Sequence, residues 1–597
     1  MPATSPEQGA EGVVRITVYS EGTALPEAMR IISVSVNRAI NRVPMARLVI
    51  ADGDMPNKEF PASDAADFKP GAAIKIAAGY GDEEETLFEG IALKHSVQIT
   101  GHNDARLVVE CRDKAVKMTA GRKNANYIDK TDSDILSALI GAAGLTADVE
   151  ATTIQHKEMV QFYCSDWDYM LSRADANGLL VIATDGTVAV KAPSTSAEAV
   201  LKVTYGIDLM EFHAEVDARH QYTAAQAVSW DLKTQDVITG SEAAPATLNP
   251  QGNLDSATLA EVLGLASFRL QTAAPTTKEM LTQWAKAQQL KSGLARLRGR
   301  LSFQGSAKAA VGGILELEGV GQRFSGKVYI SGVTHEIADG DWVTEVQFGL
   351  APQWFTDQPD VSAPRAAGLL PAVEGLQVGV VMKLDADPGG EHRVQVKLPV
   401  MQAETQGVWA RLLQLHGSNT FGTFFLPEIG DEVVLGYFNN DPSHPVILGS
   451  LYSSKQVPPY ALEAANNTKA IVTRCKSKIE FNEADKIITV TTPGNNKIVL
   501  SDKDKSILLQ DQNNNKVELN PSGITLDSPK DITITAKGKI TVDAVGAISI
   551  SSKADVKTAG LNIASEAQVG LTAKGNASAE LSAAGQTVVK GAMVMIN

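Results

Sequence analysis

DITITAKG (531–538), KITVDAVG (539–546) and AISISSKA (547–554) are three consecutive octads. Each sets two apolar residues two apart, Ile532 and Ile534, Ile540 and Val542, Ile548 and Ile550, which is the signature of a short strand with one apolar face. Gly538 and Gly546 close the first two units, and short strands at a fixed interval predict a chain winding about an axis rather than a globular domain. The beat reaches upstream to Ile524 and Leu526. Downstream it thins to Leu571, Leu581, Val588 and Val589, and the last forty or so residues are read as the same element. Period alone leaves two forms open: a single-chain β-helix of about 24 residues per coil, or strands contributed by several chains.

Outward from the octads, the whole chain of 597 residues is too long for one core and suggests roughly four units. A net charge of −15, with 69 acidic against 54 basic residues and no basic cluster, argues against a non-specific nucleic-acid binder. Cys111, Cys164 and Cys475 are far apart and odd in number, so neither a disulfide framework nor a cysteine metal site is expected. No apolar run approaches the ~20 residues of a membrane span, and MPATSPEQGAEG (1–12) lacks the basic start and apolar middle of a signal peptide. The expectation is synthesis in a reducing cytoplasm and exit, if any, by another route.

Residues 1–12 are expected to be disordered, and 13–125 to form a β-rich domain with acidic turns such as DEEE (82–85), read as a solvated hairpin tip. An α/β insert follows over 126–200. Thr131 with Asp134 and Ser165 with Asp168 mark two helix starts in capping-box form, Gly178 marks a helix end, and Asp185-Gly186 marks a hairpin. Trp167, Met170, Leu171 and Ala174 form one helical stripe, read as core. A second β-domain spans 201–356, with an exposed loop excursion at 239–276 and an amphipathic helix carrying Met280, Trp284, Ala287, Leu290, Leu294 and Leu297. GQRFSGKV (321–328) nearly matches a phosphate-binding loop, but Val328 replaces the required Ser or Thr and a strand follows instead of a helix, so it reads as a hairpin turn. A Pro- and Ala-rich linker (357–374) leads to five strands within 375–455, a small closed barrel with apolar positions Val433, Leu435, Val446 and Leu448. A neck (456–473) joins this barrel to a needle (474–597).

GTFFLPEIGDEVVLGYFNNDPSHPVILGSLY (422–452) resembles the hallmark of the VgrG family and of phage baseplate spike proteins, with Pro427, Gly430, Asp431, Asp441, Pro442, His444, Pro445 and Gly449 as its motif residues. CSDWDYMLSRADANGLLV (164–181), LELEGVGQRFSGKVYISGVTHEIADGDWVTEV (315–346) and GYGDEEETLFEGI (79–91) resemble the hub half of that family, so the resemblance covers essentially the whole chain. It implies a mainly β fold: a hub of tube-like β-barrel domains with a small α/β insert, an OB-fold barrel, and a C-terminal intertwined trimeric β-prism. It also implies a homotrimer whose hub matches a hexameric inner tube protein and baseplate proteins, with effector cargo as a further partner. If three chains intertwine, each octad adds about one strand spacing of ~4.8 Å, and residues 470–597 make a needle on the order of 75 Å long. Ile524, Leu526, Ile532, Ile534, Ile540, Val542, Ile548 and Ile550 are then its core, with Ile532, Ile540 and Ile548 facing the shared axis.

The implied function is the structural spike of a contractile injection apparatus, nucleating the tube and piercing rather than binding a target membrane. The resemblance leaves open a type VI secretion system, an extracellular phage-tail-like particle or a phage tail. No catalytic residue, cofactor or metal is expected. The interval 453–473 is too short for an inserted lysozyme, His335-Glu336 is not followed by the second His of HExxH because Asp339 stands there, no GxSxG turn occurs, and no effector domain is expected beyond the needle. The alternative is a hydrolytic or saccharide-binding spike acting through 239–276 or the barrel. Some relatives hold a metal near the apex with histidines. None follows His444 here, so Met593, Met595 and Ile596 are expected to contact a separate PAAR-like tip protein.

Overall fold

A computed structural model of the chain describes residues 3–8, 10–102, 104–402 and 407–596, and divides into two compact units, Met1–Leu451 and Tyr452–Asn597. The first unit is dominated by one 13-stranded sheet that wraps two β-domains. Strand Gly326–Ala338 joins them. It pairs antiparallel with Asp341–Phe348 on one side and with Ile31–Ala39 on the other, in register Gly332 to Ala39 through Ala338 to Ser33. Inward-facing residues of the first domain (Val34, Val36, Leu48, Ile50, Ile76, Phe88) and of the second (Leu301, Phe303, Leu315, Val328, Val346) form two separate cores, as period-2 alternation requires. GQRFSGKV lies at the turn between Ile314–Glu318 and Gly326–Ala338, closed by Ser325 N donating to Gly321 O at 3.0 Å.

The N-terminus departs from the expectation of disorder. Among its described residues, Thr4 bridges Leu201 and accepts from Lys202 N at 2.9 Å, while Ser5 Oγ donates to Asp208 Oδ2 at 2.6 Å. Among the described residues, Leu201–Thr204 otherwise pairs only with Ile314–Glu318, and its open edge takes up Thr4. Met1, Pro2 and Gly9 of the same stretch lie outside the described residues.

The insert packs helices Asp132–Ala142 and Asp166–Ala176 on the strands Leu180–Thr184, Thr187–Lys191 and Thr146–Val149, around Ile135, Leu136, Trp167, Met170 and Val188. Thr131 and Asp134 form the reciprocal box: Asp134 N donates to Thr131 Oγ1 at 3.2 Å and Thr131 N donates to Asp134 Oδ2 at 3.1 Å. Ser165 caps the second helix through Asp168 N at 3.0 Å, but its hydroxyl also donates to Asp168 Oδ2 at 2.6 Å, so this cap is not reciprocal through the backbone. Gly178 ends that helix with φ +68, the left-handed geometry glycine adopts at no steric cost.

Residues 239–276 are not a bare loop. Strand Phe268–Gln271 adds parallel to Ala225–Asp231, and Asp255 caps a short helix, Ser256–Ala260, through Thr258 N at 2.8 Å. Burial of Leu259, Ala260 and Leu270 anchors the excursion, which its Ala/Thr/Pro/Gly composition concealed. The long helix spans Lys278–Ala295, so Leu297 opens the strand Leu297–Gln304 instead of closing the helical stripe.

The small barrel is closed by five strands, Gln377–Lys383, Val394–Lys397, Val408–Leu412, Glu432–Tyr437 and Pro445–Ser450. Val381, Val394, Val396, Ala410, Val433, Leu435 and Ile447 fill it. Of the four apolar positions Val433, Leu435, Val446 and Leu448, only the first two lie in that core. The pairing skips a residue, with Val434 opposite Gly449 and Leu435 opposite Ile447, so the bulge turns Ile447 inward and leaves Leu448 exposed.

The second unit opens with an antiparallel meander of seven strands running in chain order from Thr468–Val472 to Gly523–Asp527. From 528 onward no strand pairing occurs among the described residues. The backbone bends instead at 529–530, 537–538, 545–546, 553–554, 561, 568–569, 576–577, 584–585 and 592. Eight residues separate successive bends almost throughout, so the octad register persists across 555–592, where small and polar side chains hide it in the sequence.

Candidate functional site: an unpaired apolar face and its octad continuation

The meander comes from hairpins whose first five loops alternate in length, before a two-residue turn at 521–522. Loops 473–477, 492–496 and 511–515 hold five residues, and 483–486 and 502–505 hold four. Each has a left-handed residue before its last position or at it: Lys476, Lys486, Asn495, Lys505 and Asn514, with φ between +49 and +71. Side chains stabilise these turns. Asp511 Oδ1 accepts from Asn513 N at 2.9 Å and Asn515 N at 2.8 Å, an Asx arrangement.

This geometry lines up apolar residues in two columns on one face. One runs Ile479, Val490, Ile498, Leu509, Val517, Leu526, and the other Phe481, Ile488, Leu500, Ile507, Leu519, Ile524, each residue opposite the next across the strands. The other face is mixed: Lys478, Glu480, Thr489, Lys516 and Glu518 lie there with the half-buried Ile487, Val499 and Leu508, and Lys478 Nζ is 2.7 Å from Glu480 Oε2 and Lys516 Nζ 3.3 Å from Glu518 Oε2. The continuous apolar columns are the pattern of a sheet face that is covered. In the single chain, however, Ile479, Val490, Ile498 and Leu509 are each between 37% and 43% exposed. The ladder was missed in the sequence, although KIEFN (478–482), KIVLS (497–501) and KVELN (516–520) repeat at 19 residues and mark it.

Of the eight residues expected to form the needle core, Ile524 and Leu526 end the two columns, opposite Leu519 and Val517. Ile532, Ile534, Ile540, Val542, Ile548 and Ile550 follow on the octads, all exposed in the single chain. Within each pair the first residue is the less exposed: Ile532, Ile540 and Ile548 stand at 53–55%, against 69–80% for Ile534, Val542 and Ile550. Met593, Met595 and Ile596 are exposed near the chain's end.

The barrel motif is brought together around two turns. Gly430, at φ +91, donates to Val381 O at 2.8 Å, and Asp431 O accepts from Val381 N at 3.0 Å, which places the Pro427–Asp431 turn against the first barrel strand. Asp441 accepts from Ser443 N at 2.8 Å and stands 3.2 Å from His444 Nδ1, and His444 O accepts from Phe438 N at 3.2 Å. Pro445 opens the final strand, where its missing N–H is tolerated. Gly449 lies opposite Val434. Each role is local and conformational.

Two buried polar clusters in the hub went unnoticed in the sequence. In the insert, Asp132 accepts from Arg173 Nε at 2.7 Å and Nη2 at 2.9 Å, from His156 Nε2 at 2.9 Å, and from Asn177 Nδ2 at 2.8 Å. Burial pushes the Asp132 carboxyl up, but the bonds from Arg173, His156 and Asn177 outweigh it and hold the group below its usual range. Where the two β-domains meet, His335 Nδ1 is 3.0 Å from Thr344 Oγ1 beside Trp342, and burial, with Arg38 nearby, pushes the imidazole down to about 3. Glu336, the second residue of the incomplete HExxH, instead accepts from Ser35 Oγ across the strand pair at 2.5 Å. No group of three or more His, Cys, Asp or Glu placed to hold a metal occurs among the described residues. Nor, among them, is any helix long and apolar enough to cross a membrane.

Three family models match the chain. The Alg8 N-terminal domain covers residues 10–339, the type VI secretion system/phage-baseplate injector OB domain covers 377–452, and the phage baseplate V C-terminal trimerisation domain covers 487–597. The type VI secretion system spike protein VgrG1c of Pseudomonas aeruginosa is 30% identical over 128 residues, which is 19% of this chain and 17% of that protein. The corresponding VgrG3 of Vibrio cholerae is 27% identical over 124 residues, 19% of this chain and 12% of its own length. The chain thus spans under a fifth of the length of these two relatives. Among solved structures, an E. coli component of the type VI secretion system aligns at a TM-score of 0.38 and 13% identity, covering 73% of this chain and 99% of that one.

Proposed function

Since the chain belongs to the family described by the Alg8 N-terminal domain, and carries matches to an injector OB domain and a baseplate trimerisation domain after it, we propose that it is the central spike of a contractile injection apparatus. In this reading the spike is a homotrimer without catalytic activity. Residues 13–356 form its hub, the barrel follows a linker, and the octads form a rigid tip that is driven into a target envelope. The hub receives the hexameric inner tube and baseplate proteins, and the exposed Met593, Met595 and Ile596 receive a PAAR-like tip protein. Effector cargo travels with the assembly, which is placed in the injection particle.

One observation carries the reading. Among the described residues, 528–596 keep an eight-residue beat of bends yet form no strand pairing within their own chain, and they follow a sheet whose apolar columns are uncovered. Unpaired backbone and apolar surface on this scale are costly in water, and intertwining with two further copies satisfies both at once. The mass of the purified protein in solution tests it: about 190 kDa is expected, three times 63.3 kDa. A monomer at micromolar concentration overturns the proposal.

A further inference from the structure

Between its third strand, Val408–Leu412, and its fourth, Glu432–Tyr437, the small barrel sends out an arm. From Leu412 to Pro427 the sequence LLQLHGSNTFGTFFLP contains no Asp, Glu, Lys or Arg. Leu413, Leu415, Phe421, Phe424 and Phe425 all stand exposed on it, Leu415 at 99% and Phe424 at 82%. The arm is nevertheless held in shape. Gly417 and Gly422 bridge antiparallel, Ser418 N donates to Phe421 O at 3.0 Å, Thr423 N donates to His416 O at 2.9 Å, and Gln414 Nε2 donates to Phe425 O at 3.0 Å. Contiguous exposed apolar surface of this kind marks an interaction site. Because the arm is already ordered, docking costs it little conformational entropy.

The same barrel carries a surface fit to receive it. Strands Gln377–Lys383, Glu432–Tyr437 and Pro445–Ser450 lie side by side and turn Val381, Val433, Leu435 and Ile447 inward. Alternation would make their outer side polar. Instead it sets Val378 opposite Val434 and Val446 opposite Gly436, and Leu448 lies over Gly436, where an added Cβ would meet Leu448 Cδ1 at 3.3 Å. Val378 and Leu448 are exposed, as are the arm's leucines and phenylalanines, so within one chain the wall does not cover the arm. The segment matched by the trimerisation domain begins at 487, not far beyond the barrel's last strand residue, Ser450. In the trimer reading, on which this inference rests, three barrels are thereby tethered at an effective concentration on the order of millimolar. We propose that the 413–426 arm of each copy docks on the Val378, Val434 and Leu448 wall of the next copy's barrel. The contact joins two apolar surfaces and is heterologous: each copy gives one arm and receives one, and the ring closes after three copies.

The test uses the purified full-length protein with the photoreactive p-benzoylphenylalanine in place of Phe424 or, separately, of Leu415. Both positions are exposed in the single chain, so the probe does not disturb its core. Mass in solution is read first, by light scattering. Illumination should then give covalent dimers and trimers on a denaturing gel, and mass spectrometry of those bands should join the arm to 376–383 or 432–451 of another copy. Leu448→Arg, which sets an unpaired charge in the contact, should lower the yield of covalent multimers about tenfold while the mass stays at three chains. A mass of three chains with no covalent multimer from either probe overturns the docking and leaves the spike reading standing. So does a cross-link that joins arm to arm or falls on the hub, or a yield unchanged by Leu448→Arg. A mass of one chain overturns the trimer itself, and this inference with it, before illumination.

Discussion

Replacing Ile540 with Asp tests the intertwined prism at one position. Ile540 is 54% exposed in the single chain, less than Val542 at 72%, consistent with the inner position of its octad. If the trimer covers that remainder, on the order of 100 Å² per chain at ~25 cal/mol per Å², each copy contributes about 2.5 kcal/mol, or about 7 kcal/mol per trimer. The substitution removes this and places three carboxylates together in a dry interior, at several kcal/mol per ion. The combined loss, on the order of 15 kcal/mol per trimer, is comparable to the whole stability of a typical domain. Trimer assembly should therefore fail at pH 7, as read by light scattering after gel filtration. Lys539→Asp, on the outer position, should leave the mass unchanged. A pH arm adds a sign. Carboxyls crowded in the trimer have a folded-state pKa raised above the unfolded ~3.9, so their penalty is present at neutral pH and relieved as pH falls through the raised value. Partial recovery of the trimer near pH 4 is expected for Ile540→Asp alone. Equal tolerance of both substitutions refutes the register, and an unaltered trimer with Asp at 540 refutes the prism.

His335 gives a second pH test. Its imidazole is pushed to about 3 in the fold, against an ordinary value near 6.5, so the unfolded chain binds the extra proton first and stability falls as pH drops from about 6.5 toward 3. By pH 5 the loss should be about 2 kcal/mol in urea unfolding of the hub, and His335→Gln should flatten that slope. Asp132→Ala should cost the insert about 3–5 kcal/mol, since it leaves Arg173 buried without its counter-charge; Asp132→Asn should cost less, and identical urea midpoints for wild type and Asp132→Ala would contradict the cluster. Ile447→Ala should destabilise the barrel by about 2–4 kcal/mol, because the bulge points this residue inward; a cost below about 0.5 kcal/mol would mean the bulge is misplaced.

How much was legible depended on whether a signal was local. The reciprocal cap at Thr131 and Asp134, the Gly178 helix end and the turn hidden in GQRFSGKV were readable, because each is decided within a few residues of chain. The closed barrel was readable from its strand spacing, but not the inward turn of Ile447, which depends on one extra residue, Leu448, in its own strand. Thr4 was misread for a related reason: its backbone is held by Leu201, almost two hundred residues away, and composition at a terminus carries no trace of an open strand edge elsewhere. The Asp132 cluster joins positions 132, 156, 173 and 177, which only the fold gathers.

The C-terminal unit inverts this relation between sequence and fold. The meander at 468–527 is specified within the chain: strands alternate, loops of four and five residues fix the register, and each strand pairs with its neighbour in sequence. The octads are specified just as regularly, yet in one chain that regularity yields bends without pairing. A repeat that fixes where a backbone turns but leaves its hydrogen-bonding groups without partners encodes a surface addressed to other chains. This also explains why the apolar signal can fade after 554 while the eight-residue beat persists to 592: turn spacing, not side-chain hydrophobicity, sets the register of such a segment. Hydrophobic periodicity alone therefore understates the length of the element, and the interval between turns measures it.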